Sequence, residues 1–139
     1  MRCDAIVVCL GTNDTKVVFA DRQHEVTDNF TRLLETISRS GWVRRTSPRC
    51  IFVTPPPMND AQAGPKYTGG NERLGRLIPE LTAIARRYGW EVIDIYHPFQ
   101  PFFKEYAPDG VHMTADGQRI VAQKILDRLT EGHPEKSGS

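Results

Sequence analysis

No apolar run in this chain approaches the roughly 18 residues of a membrane span. The start Met1-Arg2-Cys3-Asp4 also lacks the order of charge, apolar stretch and small-residue site that marks a signal peptide. The expected location is cytoplasmic, with a signal on a preceding segment as the alternative. Charge of one sign is missing as well, since 18 Lys and Arg against 17 Asp and Glu leave a net +1. Without a basic field, neither nucleic acid nor a membrane surface is an expected partner; a small neutral substrate is. Cysteine is sparse, at Cys3, Cys9 and Cys50 with no Cys-x-x-Cys pair, which argues against a disulfide framework and a zinc knuckle. Buried free thiols are expected. No cluster of His, Asp and Glu has ligand spacing, so no metal or other cofactor is implied. Repeats and low-complexity segments are absent too.

What is present is the make-up of one ordinary globular domain: 139 residues, 39% of them apolar and 25% charged. The domain should run over residues 1–131, with 132–139 a flexible polar tail. The apolar run Ala5 to Leu10, closed by Gly11, has the pattern of a strand buried on both faces. Thr27-Asp28 can cap a helix carrying Phe30, Leu33, Leu34 and Ile37, which Gly41 stops. A strand at Cys50 to Thr54 ends at Pro55-Pro56-Pro57, and a loop follows from Met58 to Gly70. Asn71 opens a helix with Leu74, Leu77, Ile78, Leu81, Ile84, Ala85 and Tyr88 on one stripe; Pro79 should bend it and Gly89 close it. A strand from Glu91 to Tyr96, an aromatic loop from Pro98 to Pro108 and a helix capped by Thr114 complete the chain. Alternating strands and helices predict an α/β fold, a three-layer α/β/α sandwich with a parallel sheet. Ligands of such folds gather beyond the carboxyl ends of the strands.

Two short blocks fall at such ends. In Gly11-Thr12-Asn13-Asp14, the glycine lets the backbone approach closely, and the Asn13 amide donates a hydrogen bond without titrating. That is the requirement of an oxyanion hole, although the same residues also suit a plain strand-ending turn. In Asp109-Gly110-Val111-His112, the carboxylate stands three residues before the imidazole and can reach its Nδ1–H. The other ring nitrogen is then free to act as a base. An Asp-Gly turn beside an incidental histidine is the competing reading. Of the other histidines, His24 and His133 lie in polar segments, and His97 reads as a strand-end packing or hydrogen-bonding residue. A flavodoxin-like nucleotide binder is disfavoured, because no Gly-rich phosphate loop follows any strand.

Together, in this order and on this strand–helix pattern, the two blocks resemble the SGNH (GDSL-type) hydrolases. The string Leu10 to Lys16, then Pro55-Pro56-Pro57 and Gly69-Gly70, is similar to the arylesterase and acyltransferase branch of that family. The resemblance covers Ala5 to Leu129 and implies a flavodoxin-like SGNH fold and hydrolysis of short acyl, acetyl or aryl esters. It further implies His112 as general base, Asp109 as its orienting acid, and Asn13 with Gly11 at the oxyanion hole. Thr12 and Asp14 would border the substrate. The loops Met58–Gly70 and Phe99–Tyr106 are expected to shape selectivity, the Phe102-Phe103 pair above all.

The family's Gly-Asp-Ser block and its glycine block have no counterpart here. Ser38, Ser40, Ser47, Ser137 and Ser139 are the serines, and none follows a strand into a turn. Two βα units of the family would precede Met1. The strand Ala5–Leu10 should then present an open apolar edge, predicting self-association or association with a separate N-terminal segment. Two readings follow: an esterase whose nucleophilic serine lies outside these residues, or a non-catalytic binding module of the same family.

Overall fold

The computed structural model describes residues 3–132. Its elements are β1 (Ala5–Val8), α1 (Gln23–Arg39), α2 (Gly41–Thr46), β2 (Arg49–Val53), α3 (Asp60–Ala63), α4 (Gly70–Arg87), β3 (Glu91–Ile93), α5 (Tyr96–Phe99), α6 (Phe103–Tyr106) and α7 (Ala115–Thr130). Single 3-10 turns stand at Asn13–Thr15, Val17–Phe19 and Pro65–Tyr67. Residues 133–139 of the expected polar tail lie outside the described residues.

The sheet is parallel throughout, in the order β1-β2-β3. Ile6 pairs with Cys50 and Val8 with Phe52; Phe52 in turn pairs with Val92. Period-two alternation sends neighbouring residues to opposite faces. Phe52 therefore packs with Phe30, Leu34, Leu77 and Leu81, between the sheet and the pair α1 and α4. Ile51, Val53 and Ile93 face the other way, toward Val121 and Ile125 of α7. This is the expected three-layer α/β/α arrangement. The apolar stripe of α4 serves both clusters, with Leu74 and Ile78 joining the second.

Arg49, at the amino end of β2, fixes the direction of α7. It holds Glu91 through two hydrogen bonds of 2.9 and 2.7 Å and donates to the carbonyls of Arg128 and Leu129, in the helix's last turn. The other end of α7, where the Thr114 side chain accepts from Gly117 N, therefore lies at the carboxyl ends of the strands.

Several boundaries differ from the sequence reading. β1 ends at Val8 and is an edge strand, so it is not buried on both faces: Val7 is 40% and Leu10 51% exposed. Thr27 and Asp28 lie inside α1, which starts at Gln23 without a side-chain cap. Gly41 begins α2 rather than ending a helix, because Ser40 accepts from Val43 N and caps the new turn. β2 spans Arg49–Val53, one residue earlier than expected. α4 opens at Gly70, one residue before Asn71, and continues unbroken through Pro79. β3 stops at Ile93, because the Thr54 hydroxyl accepts from the amides of Ile95 and Tyr96 and turns the chain into α5. None of the three cysteines is buried; all are free thiols, partly exposed or exposed.

Candidate active site

The block Gly11 to Asp14 forms a tightly held turn beyond β1. Gly11 has φ +132°, a conformation that L side chains rarely adopt, and a Cβ there would meet Pro55 at 3.3 Å. Each carbonyl from Gly11 to Thr15 has a donor. Those of Gly11, Thr12 and Asn13 accept from Asp14 N, Thr15 N and Lys16 N. Asp14 O accepts from Gln23 Nε2 at 2.8 Å, and Thr15 O from Arg73 Nε at 2.8 Å. Buried Thr15 adds a hydroxyl bond to Thr12 O. Asn13 is left exposed on this rigid base, and its Oδ1 accepts from the Tyr67 hydroxyl at 2.9 Å. Asp14 is half-buried beside Leu10, Val26, Phe30 and Leu33 in a cavity of about 160 Å³. Burial pushes its carboxyl up from the ordinary value, against the pull of its own backbone amide and of Lys16.

Asp109 and His112 form a compact pair. One carboxylate oxygen accepts from the amides of Val111 at 2.8 Å and His112 at 2.7 Å; the other lies 2.6 Å from His112 Nδ1. These amides, more than the imidazole, hold the Asp109 carboxyl down to about 2, so it is ionised at neutral pH. An ionised carboxylate can only accept, which puts the proton on Nδ1 and leaves Nε2 unprotonated in the neutral ring. The pair is open to solvent, His112 being 84% exposed.

The segment after β2 joins the two blocks. Thr15 Oγ1 approaches Met58 Sδ, Met58 N donates to Asn71 Oδ1, and Asn59 N donates to Gly110 O at 2.9 Å. Gly110 has φ +83°, and a Cβ there would strike Asn59 O and come within 2.6 Å of Ala63 N. The expected Met58–Gly70 loop thus touches both the Asp109–His112 turn and the Asn13 turn, and it contains α3 and a 3-10 turn.

The sequence profile of the GDSL-like lipase/acylhydrolase family matches residues 2–120. The chain belongs to that family. It is 26% identical over 144 residues to a GDSL esterase/lipase of Arabidopsis thaliana, covering 87% of this chain and 57% of the relative. A carbohydrate acetylesterase family member from Sinorhizobium meliloti superposes with a TM-score of 0.67 at 26% identity, over 91% of this chain and 60% of that one. The aryl esterase of M. smegmatis shares the fold, with a TM-score of 0.63 at 23% identity over 91% of this chain and 60% of that one. The chain thus spans about three fifths of the length of these GDSL-like relatives.

Within this GDSL-like framework the aromatic segment has a different place from the one expected. Phe99 and Phe103 are buried in the core and belong to α5 and α6; Phe102 alone of the Phe102-Phe103 pair is exposed. Sequence reasoning also missed Tyr67, whose ring is core while its hydroxyl reaches Asn13. No local pattern marks it, because the contact joins residues far apart in the chain. Among the described serines, Ser38 lies within α1, Ser40 caps α2, and Ser47 ends α2 with φ +46°. None stands at a strand's carboxyl end. Cys9 does, but atoms packed around its sulfur push the thiol up to about 11, which leaves little thiolate at neutral pH. Among the described residues no group of three or more His, Cys, Asp or Glu could hold a metal ion, and no helix is long and apolar enough to cross a membrane.

Proposed function

We propose that this chain carries the base and oxyanion half of an SGNH-type ester hydrolase acting on short acyl, acetyl or aryl esters. The observation that carries it is the Asp109–His112 pair, with Nε2 free, tied through Gly110 and Asn59 to the segment whose Met58 meets Thr15 of the turn bearing Asn13. His112 takes the proton of a serine hydroxyl as that oxygen attacks the ester carbonyl, then returns it to the leaving alcohol. Asp109 orients the ring and stabilises the imidazolium. The Asn13 amide donates to the developing oxyanion, a contribution on the order of 2.7–4 kcal/mol. Gly11 lets the backbone come close, and Thr12 and Asp14 border the acyl group. The branch proposed is that of the arylesterases and acyltransferases, on the string Leu10 to Lys16, Pro55-Pro56-Pro57 and Gly69-Gly70.

The serine belongs to a segment outside these 139 residues that adds beside β1, the edge strand of the sheet among the described residues. Val7 points to the α7 face by alternation with Ile6 and Val8. It is exposed there, as are Leu126 and Leu129 of α7. Without that segment the edge pairs with a second copy.

The test is hydrolysis of p-nitrophenyl acetate by the chain alone and by the chain joined to the segment encoded upstream of Met1. Turnover is expected with a serine-bearing segment and is expected to vanish in His112→Ala. Turnover by the chain alone that survives His112→Ala would refute the assignment. The placement of the described serines favours a second reading, a non-catalytic binding module. Silence of the joined chain, together with ester binding, would support that instead.

A further inference from the structure

We propose that Tyr67 is a positioning residue that sets which end of the Asn13 amide faces a substrate. The inference rests on the reading of Asn13 as the oxyanion donor and adds a residue to it. An amide side chain has two ends of opposite character, NH2 donating and oxygen accepting. Only one serves an oxyanion. If the carbonyl oxygen pointed at the developing charge, a stabilising contact would become a repulsive one.

The surroundings of Tyr67 choose between them. Tyr67 is 5% exposed and belongs to the buried cluster that also holds Val53, Met58 and Leu74. The backbone around it is equally constrained, being a 3-10 turn opened by Pro65 and tied by Tyr67 N to Gly64 O at 3.0 Å. The hydroxyl therefore meets Asn13 from a fixed point, with 2.9 Å between Tyr67 Oη and Asn13 Oδ1. Lys16 and Lys66 each place an ammonium near the ring, 5.7 and 5.6 Å from its centroid. Positive charge beside the ring draws electron density from the phenolic oxygen, which favours the hydroxyl as donor over acceptor. A donating hydroxyl demands Oδ1 as its partner. The NH2 is thereby left as the outward end of an exposed side chain, on a turn whose carbonyls are already engaged. Tyr67 touches no reacting atom; it acts through Asn13.

Two measurements test this. On the chain itself, Tyr67→Phe should move the Asn13 Cγ resonance upfield, as Oδ1 loses its donor, with the rest of the spectrum little changed. Should Phe perturb the fold, 3-fluorotyrosine at position 67 keeps the ring, strengthens the donor and should move Cγ the opposite way. An unmoved Cγ, or Asn13 amide protons shielded from exchange by Tyr67, overturns the proposal. In the serine-bearing form, Tyr67→Phe should lower kcat about 10-fold to 100-fold with KM within about twofold. That loss should disappear in an Asn13→Ala background; fully additive losses overturn the proposal. A serine-bearing form without ester turnover would refute the functional reading and the bearing of Tyr67 on kcat with it. An unmoved Cγ with turnover intact would refute this proposal alone.

Discussion

Two Asp-x-x-His pairs follow one another along this chain, Asp94 with His97 and Asp109 with His112, and their local geometry is nearly the same. In each, one carboxylate oxygen accepts the histidine's own amide and the other meets Nδ1, at 2.8 Å in the first pair and 2.6 Å in the second. Their surroundings differ. Asp94 follows β3, the sheet edge opposite β1, and borders a cavity of about 280 Å³ with Pro79, Thr82 and Arg86. Its remaining partner is the Thr54 hydroxyl, which is engaged in turning the chain into α5. Asp109 instead stands on a turn that Gly110 presses against α3, on the segment whose Met58 meets Thr15 of the Asn13 turn. The Asp–His pair thus occurs twice in this chain, and in the proposed function the base is the pair whose turn is held by the segment that also meets the Asn13 turn.

The largest effect expected of this contrast is on turnover. Asp109→Asn in the serine-bearing form should lower kcat for p-nitrophenyl acetate on the order of 10⁴-fold, because the amide selects the wrong imidazole tautomer. Asp94→Asn and His97→Ala should leave it within about twofold. The reverse result would exchange the roles of the pairs. Next is Gly110→Ala, which forces a side chain into φ +83° and against Asn59 O. It should cost at least about 1–3 kcal/mol, read as a lower Tm, and weaken turnover as the bracket opens. The matching position in the other pair, Ile95, has φ −114° and needs no glycine.

Thr54→Val should cost about 1–3 kcal/mol by stranding the buried amides of Ile95 and Tyr96. It should loosen the Asp94–His97 pair while the His112-dependent rate per folded molecule stays unchanged. The smallest effect is on pH dependence. The Asp109 carboxyl is lowered from 3.8 to about 2, so its hydrogen bonds favour the folded form fully above 3.8 and fade as pH falls through about 2. A carbon NMR titration of Asp109 Cγ should find the carboxyl's own midpoint near 2; a midpoint at or above 3.8 would show those bonds absent in solution.

Much of this was legible in the sequence. The stripe of α4, the Thr114 cap and the three strand segments predicted the layers, since periodicity reports element type directly, although β1 proved to be a partly exposed edge. The aromatic segment was misread because Phe99 and Phe103 lie in short helices whose buried side is set by neighbours, not by local pattern. β3 was read too long because Thr54, distant in sequence, takes the amides of Ile95 and Tyr96.

The sequence by itself determined the parallel α/β architecture, the glycine-dependent turns at Gly11 and Gly110, and the two blocks to which the chemistry is assigned. Those follow from steric limits on φ and from hydrophobic spacing, both local properties. Which Asp–His pair is linked through the segment after β2 to the Asn13 turn, which side of Asn13 Tyr67 occupies, and the exposure of Val7 were decided only by tertiary structure. Each depends on a contact between residues distant in the chain, or on its absence, and only the packed sheet sets that.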